Sequence, residues 1–247
     1  MTTLNRLSKI CNPVRVNFQT LRDGRQDTNN KLVYDAIMSD DTKTFDNNIN
    51  SNQFNKILLE LQKTRFDFLE EIKENVLACR LLAMNISKKA SRQGTKDEKT
   101  QITTCDTTSR QFGITIENLP ANSARPLKQG GIITNQQFKQ QKIAKNDCLK
   151  SFDGRITGNI TGWIFAKVVY GNGGHQDNVF QETHDFCDWV INYGKIENPN
   201  DKFVVLIDTD LQQKFNECKK KYENISNLLI ENHITFQQYI INTYSSN

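Results

Sequence analysis

Residues 152–170 of this chain read FDGRITGNITGWIFAKVVY and carry the clearest strand signals in the sequence. Its first part, from Phe152 to Ile156, predicts a short strand, and the glycines at positions 158 and 162 mark a break. The apolar run from Trp163 to Tyr170 then predicts a second strand next to the first. These two neighbouring strands are the centre around which we place the other elements.

Strands and helices alternate after this pair. The apolar spacing predicts a helix over 177–193, a buried strand over 203–208 and a charged helix over 211–224. A short strand at 227–230 and an apolar-periodic terminal helix complete the series. Alternation of this kind is typical of an α/β layer. We therefore expect an α/β fold in which helices flank a mixed central sheet.

The first part of the chain has a helical pattern. Apolar residues recur at three- and four-residue steps from Phe54 to about Ala90, which predicts one long helix or two in tandem. Residues 1–50 contain few apolar anchors, so we expect a loosely packed arm or a small helical cap there. We accordingly divide the chain into a helical N-terminal region, residues 1–90, and a core, residues 91–247.

Shorter elements connect the two regions. Thr95 followed by Glu98 is a capping-box pattern, which indicates that a helix begins there. Alternating apolar residues over 112–116 predict a short strand. We expect a loop over 120–131 and a helix over about 135–150.

Composition excludes several classes of protein. The chain has 247 residues, which is long enough to bury a hydrophobic core, and its mean hydropathy is -0.63. Its apolar runs are all far shorter than the roughly 20 residues that a membrane helix requires. The N-terminus lacks the apolar segment of a secretory signal, so we expect a cytoplasmic protein. The six cysteines are scattered without zinc-ligand spacing and are expected to be reduced. The formal charge of +4 is compatible with a polyanionic partner but does not identify one.

Two charged residues in the central strands are candidates for chemistry. Asp153 begins the first strand and Lys167 lies inside the second, so both can meet at one edge of the sheet. A carboxylate is the oxygen ligand that Mg²⁺ prefers, and an ammonium can orient a water and offset charge on a phosphate. Taken singly, Asp153 is also typical of a turn and Lys167 of a strand lysine that extends to solvent. Their joint spacing favours a site for phosphodiester hydrolysis.

The same residues carry a resemblance to a known family. Phe152-Asp153-Gly154, Ile164-Phe165-Ala166-Lys167 and the Gly171–Asn178 segment resemble the core of type II restriction endonucleases of the PD-(D/E)xK nuclease superfamily. The resemblance extends over roughly residues 88–247 and implies a restriction-endonuclease-like core.

The chain departs from the family pattern at one position. Phe165 stands two residues before Lys167, where the family has an acidic residue, and a phenylalanine cannot bind a metal. Some members supply the missing carboxylate from the helix after the second strand, and Glu182, 15 residues beyond Lys167, fits that description. The alternatives are that Asp177 or Glu98 is the ligand, or that Phe165 marks an inactivated site.

The resemblance implies a Mg²⁺-dependent enzyme that recognises a sequence in double-stranded DNA and leaves 5′-phosphate ends. Asp153 and Glu182 would ligate the metal, and Lys167 would orient the attacking water. A homodimer is expected because two symmetric sites can cut both strands of a palindrome. The first 90 residues would then dimerise or grip DNA.

Six residues are candidate DNA contacts because basic groups bind phosphates and amide side chains read base edges. They are Arg92, Lys96, Asn172, His175, Gln176 and Asn178. The plainer interpretation of these residues is a solvated basic loop and a glycine-rich turn. Two competing functions stay open: a DNA-binding protein that keeps the nuclease fold without activity, and a domain that binds other proteins.

Overall fold

The structure is a computed structural model that describes residues 12–90, 94–170, 175–194, 196 and 199–245. The chain divides into two compact units. One contains the described residues between Asn17 and Gln93, and the other contains those before Asn17 together with those from Gly94 onward. The sheet-bearing unit is therefore interrupted in sequence by the helical one.

A five-stranded mixed sheet forms the centre of the second unit. The described strands of this unit, which include two outside the large sheet, are β1 (Ile114–Asn118), β2 (Ala124–Pro126), β3 (Ile132–Thr134), β4 (Gly154–Gly158), β5 (Thr161–Val169), β6 (Asp201–Thr209) and β7 (Leu228–Glu231). The large sheet has the order β1-β4-β5-β6-β7, while β2 and β3 form a separate antiparallel pair. Strands β1, β4 and β5 are antiparallel neighbours, whereas β5, β6 and β7 run parallel. The predicted α/β fold with a mixed sheet is confirmed.

Helices cover both faces of this sheet. The described helices of this unit are α6 (Gly94–Ser109), α7 (Asn135–Gln140), α8 (His175–Trp189), α9 (Gln212–Tyr222) and α10 (His233–Tyr244). Those of the helical unit are α1 (Phe18–Met38), α2 (Thr42–Asn48), α3 (Ser51–Leu61), α4 (Arg65–Lys73) and α5 (Val76–Ile86). Side chains of α6 and α10 pack with even-numbered residues of β5 and β6, such as Ile164 and Val204. Side chains of α8 and α9 pack on the odd-numbered residues, such as Phe165 and Phe203. Residues of β5 and β6 therefore alternate between two cores, one on each side.

The helical unit differs from its prediction. In place of the one or two helices expected from Phe54 onward there are three, α3 to α5. Gln62 adopts a left-handed conformation, and Thr64 and Asn75 cap the next two helices. Of the two alternatives for residues 1–50, the described residues agree with the helical one. They contain the 21-residue helix α1, in which Phe18 and Val33 are fully buried, so the loosely packed alternative was wrong. Apolar spacing continued across the caps, so it did not reveal the breaks.

Two further predictions were wrong in the connecting region. The expected loop at 120–131 contains β2, which pairs with β3. The helix expected to reach residue 150 ends at Gln140, shortly before Lys142, which has a φ of 51°. The elements predicted after residue 150 are present, with ends shifted by a few residues.

Gly162 allows the close approach of β5 and β6, where it pairs with Lys202. A Cβ at this position would overlap the carbonyl oxygen of Lys202. We expect Gly162→Ala to lower the free energy of unfolding by about 1–3 kcal/mol, measured by urea denaturation, because the strands must separate. Gly24→Ala is the matched control: it lies inside α1 with open space around its Cβ, and should stabilise by about 0.5–1 kcal/mol. An unchanged midpoint for Gly162→Ala would contradict this account of the strand pair.

Among the described residues, no helix is long and apolar enough to cross a membrane.

Candidate active site

Asp153 is held against β5 by its backbone and by its side chain. Its backbone N–H donates to the carbonyl of Ile164, and its own carbonyl accepts from Leu119 N–H. Its carboxylate oxygen Oδ2 accepts a hydrogen bond from Ala166 N–H at 2.8 Å. The side chain is thereby fixed beside the residue that precedes Lys167.

Lys167 is a buried lysine near the end of β5, with 9% of its surface exposed. Its Nζ lies 3.5 Å from Oε1 of Glu98 on α6. The same Nζ lies 4.5 Å from the centroid of the Phe165 ring. This ion pair joins α6 to β5 through two residues that are 69 positions apart in the chain.

The acidity of Asp153 reflects this environment. Burial raises the pKa of Asp153 from 3.8 to about 6, and the charge of Glu98 adds to that rise. Lys167 and, more weakly, Lys150 act in the opposite direction. Asp153, Glu98 and Lys167 therefore interact electrostatically as one group. The positive charge of the Lys167 ammonium offsets the negative charges of both carboxylates.

Phe165 belongs to the hydrophobic core. Its ring is 1% exposed and stacks on Phe186 with centroids 5.1 Å apart and an interplanar angle of 13°. The side chain therefore fills space between β5 and α8. No carboxylate stands at this position, as the sequence already required.

Glu182 lies on α8 at the edge of its buried stripe and pairs with Lys150, Oε1 to Nζ at 2.6 Å. Its other oxygen, Oε2, is buried without a hydrogen-bond partner. Within the described part of the chain, no hydrogen bond or ion pair joins Glu182 to Asp153 or Lys167. Glu98, the secondary candidate, makes that contact instead, and Asp177 is exposed and pairs with Lys214. Ligation by Glu182 stays a prediction.

The candidate DNA contacts are only partly visible. Lys96 on α6 and Asn178 on α8 are exposed. Arg92 and Asn172 lie outside the described residues. His175 and Gln176 lie in the first turn of α8, but their side chains are outside the described part. DNA binding by these six residues stays a prediction.

A buried polar network behind the site was missed by sequence reasoning. Gln101, one turn after Glu98 on α6, donates from Nε2 to Asp208 Oδ2 at 2.6 Å and to the carbonyl of Lys167 at 3.4 Å. The other oxygen of Asp208 lies 2.6 Å from His233 Nδ1. The sequence contains one signal for the position of Gln101. Gln101 follows Glu98 by three residues, and this spacing places both side chains on one face of α6.

The same network reaches the N-terminal segment of this unit. His233 Nε2 accepts a hydrogen bond from Val16 N–H, which leaves Nδ1 as the donor to Asp208. Gln237 accepts from Val14 N–H through Oε1 and donates from Nε2 to the carbonyl of Val14. The segment at Val14–Val16 is therefore tied to α10.

Among the residues that the structure describes, no group of three or more His, Cys, Asp or Glu side chains is arranged to hold a metal ion. Comparison of the chain with protein-family models, curated proteins and solved structures finds no match.

Proposed function

We propose that this chain is a Mg²⁺-dependent double-strand DNA endonuclease with a core like that of type II restriction enzymes. The observation that supports it best is the convergence of Asp153, Glu98 and Lys167 at the ends of neighbouring elements. A partly buried carboxylate with a raised pKa, next to a second carboxylate and a buried lysine, is typical of catalytic sites.

The donor set suits a divalent cation. Asp153 uses Oδ2 to accept from Ala166 N–H, which leaves Oδ1 for a ligand. The charge of Glu98 adds to the raised pKa of Asp153, and a bound cation would offset this repulsion between the two carboxylates. Asp153 and Glu98 would hold Mg²⁺, with Glu182 as the predicted alternative. The bound ion would stabilise charge on the scissile phosphate.

Lys167 supplies the other part of the mechanism. Its ammonium is buried and fixed by Glu98 and by the Phe165 ring, so it can hold a water or a phosphate oxygen in one orientation. The Lys167 charge also compensates the negative charge that develops as the P–O bond is hydrolysed. Two copies of the chain would cut both strands.

The proposal is tested by one gel. Purified protein is incubated with unmethylated phage DNA, first with Mg²⁺ and then with EDTA. We expect discrete fragments with Mg²⁺ and intact DNA with EDTA. DNA that is neither cut nor shifted in mobility under both conditions would contradict the proposal.

Glutamine variants separate the two candidate ligands. We expect Glu98→Gln to slow cleavage by about 10- to 100-fold, because the carboxylate beside Lys167 is removed while the side chain keeps its size. Glu182→Gln, which breaks a pair with Lys150, is the matched comparison. Initial cleavage rates over a range of Mg²⁺ concentrations measure both. A large loss for Glu182→Gln with none for Glu98→Gln would assign the metal to Glu182 instead.

The second candidate function is a DNA-binding protein without activity. The burial of Phe165 where the family has a carboxylate favours it. A mobility shift without cleavage at any Mg²⁺ or Mn²⁺ concentration would establish it. Affinity should then fall with salt, because bound counterions are released from DNA.

A further inference from the structure

One segment of the sheet-bearing unit carries a large excess of positive charge. Residues 127–150 contain five lysines, at positions 128, 139, 142, 145 and 150, and a single acidic residue, Asp147. The formal charge of this segment is therefore +4, equal to that of the whole chain. All five lysine side chains are exposed. We call residues 127–150 the lysine segment.

Four of these lysines have no anionic partner among the described residues. Lys150 pairs with Glu182, but none of the other four lies within ion-pair distance of a described carboxylate. The run at 219–221 is different, since Lys219 binds Glu231 at 2.6 Å and Glu217 and Glu223 flank it in sequence. An uncompensated set of ammonium groups attracts a polyanion more strongly than a neutralised one.

The lysine segment is held in place by the body of its unit. Trp189 Nε1 donates to the carbonyl of Leu127, and Leu149 N–H donates to the carbonyl of Pro126. The Arg125 guanidinium lies 4.4 Å from the centroid of the Phe138 ring, and this contact holds α7 against β2. A fixed surface loses less conformational entropy on binding than a mobile tail.

The segment leads directly into the candidate active site. Lys150 precedes Asp153 by three positions, and it also lowers the pKa of Asp153. Phe152 N–H donates to the carbonyl of Ala124, so the two ends of this region lie together. A polyanion bound along the lysines would therefore continue towards Asp153.

We propose that the lysine segment binds the phosphate backbone of double-stranded DNA and guides it to the site at Asp153. The inference rests on the proposed function and adds the surface that holds the substrate. Contacts to phosphates carry no sequence information, so this surface sets affinity and orientation and leaves base recognition to other residues.

The test is the salt dependence of DNA binding. Fluorescence anisotropy with a labelled 30-base-pair duplex in EDTA gives the binding constant of the full chain between 50 and 200 mM NaCl. For K139Q/K142Q/K145Q we expect the slope of log K against log salt to fall by about 0.9 for each phosphate that the variant no longer neutralises, up to about 2.7. K219Q/K220Q/K221Q removes the same charge from α9 and should leave the slope unchanged. Thermal melts confirm that both variants are folded.

Two results would overturn the inference while leaving the proposed function intact. The first is an unchanged slope for K139Q/K142Q/K145Q in a chain that still cuts DNA with Mg²⁺. The second is an equal fall for both triple variants, which would show that net charge alone matters. Wild-type protein that neither binds nor cuts the duplex would overturn the proposed function and this surface together.

Discussion

Asp153→Asn is expected to abolish cleavage and, at the same time, to stabilise the protein at neutral pH. Loss of the carboxylate should slow cleavage by about 100-fold or more, because it removes the group that holds the ion and the charge next to Lys167. The asparagine oxygen can still accept from Ala166 N–H, so the strand contact survives. Residues that are needed for activity often lower the stability of the folded protein, and Asp153 would be one of them.

The sign of the stability change follows from the pKa. Burial raises the pKa of Asp153 from 3.8 to about 6 in the folded chain, so folding favours its protonated form. The folded state is therefore penalised progressively as pH rises from about 4 through 6, by roughly 3 kcal/mol in full. Asparagine carries no such penalty.

Urea denaturation between pH 4 and pH 8 measures this effect without added metal. We expect the advantage of Asp153→Asn over the wild type to grow with pH and to level off above pH 7. Asp185→Asn, at an exposed position on α8, is the matched control and should show no such trend. An Asp153→Asn variant that cuts DNA at the wild-type rate would remove Asp153 from the proposed site.

Phe165→Glu is expected to lower the free energy of unfolding by about 3 kcal/mol or more. Truncating a buried phenylalanine costs about 3–5 kcal/mol, and here the ring that is removed stacks on Phe186. The new carboxylate would be desolvated, although Lys167 lies close enough to offset part of its charge. Restoring the family's acidic residue therefore conflicts with the packing between β5 and α8.

Phe165→Leu is the control, because it keeps an apolar side chain and should cost roughly 1–1.5 kcal/mol. Urea midpoints of both variants at pH 8 give the comparison. A Phe165→Glu protein as stable as the wild type would show that the ring is dispensable. Cleavage by Phe165→Glu, with none by the wild type, would favour the inactive DNA-binding alternative.

The sheet could be predicted because its strands carry their own signals. The glycine break after Ile156 and the apolar runs at 163–170 and 203–208 are local patterns, and β4, β5 and β6 follow them closely. The breaks at Gln62, Thr64 and Asn75 were not visible, since capping by a single polar side chain leaves the apolar period unchanged.

The candidate site was predictable only in part for a similar reason. Asp153 immediately precedes β4 and Lys167 belongs to β5, so their proximity follows from the short hairpin between these two strands. The pairing of Lys167 with Glu98, and of Asp208 with His233, depends on how α6 and α10 pack over the sheet. Contacts between residues 25 to 69 positions apart are set by tertiary packing, which local patterns do not specify.

The interruption of the sheet-bearing unit by the helical one affects how this chain must fold. The backbone N–H groups of Val14 and Val16 donate hydrogen bonds to Gln237 and His233. The chain returns to the same unit at Gly94. The helices in between are thus an insertion whose two attachment points belong to the same body. Assembly of the sheet-bearing unit must therefore close a long loop between Val16 and Gly94, which costs conformational entropy.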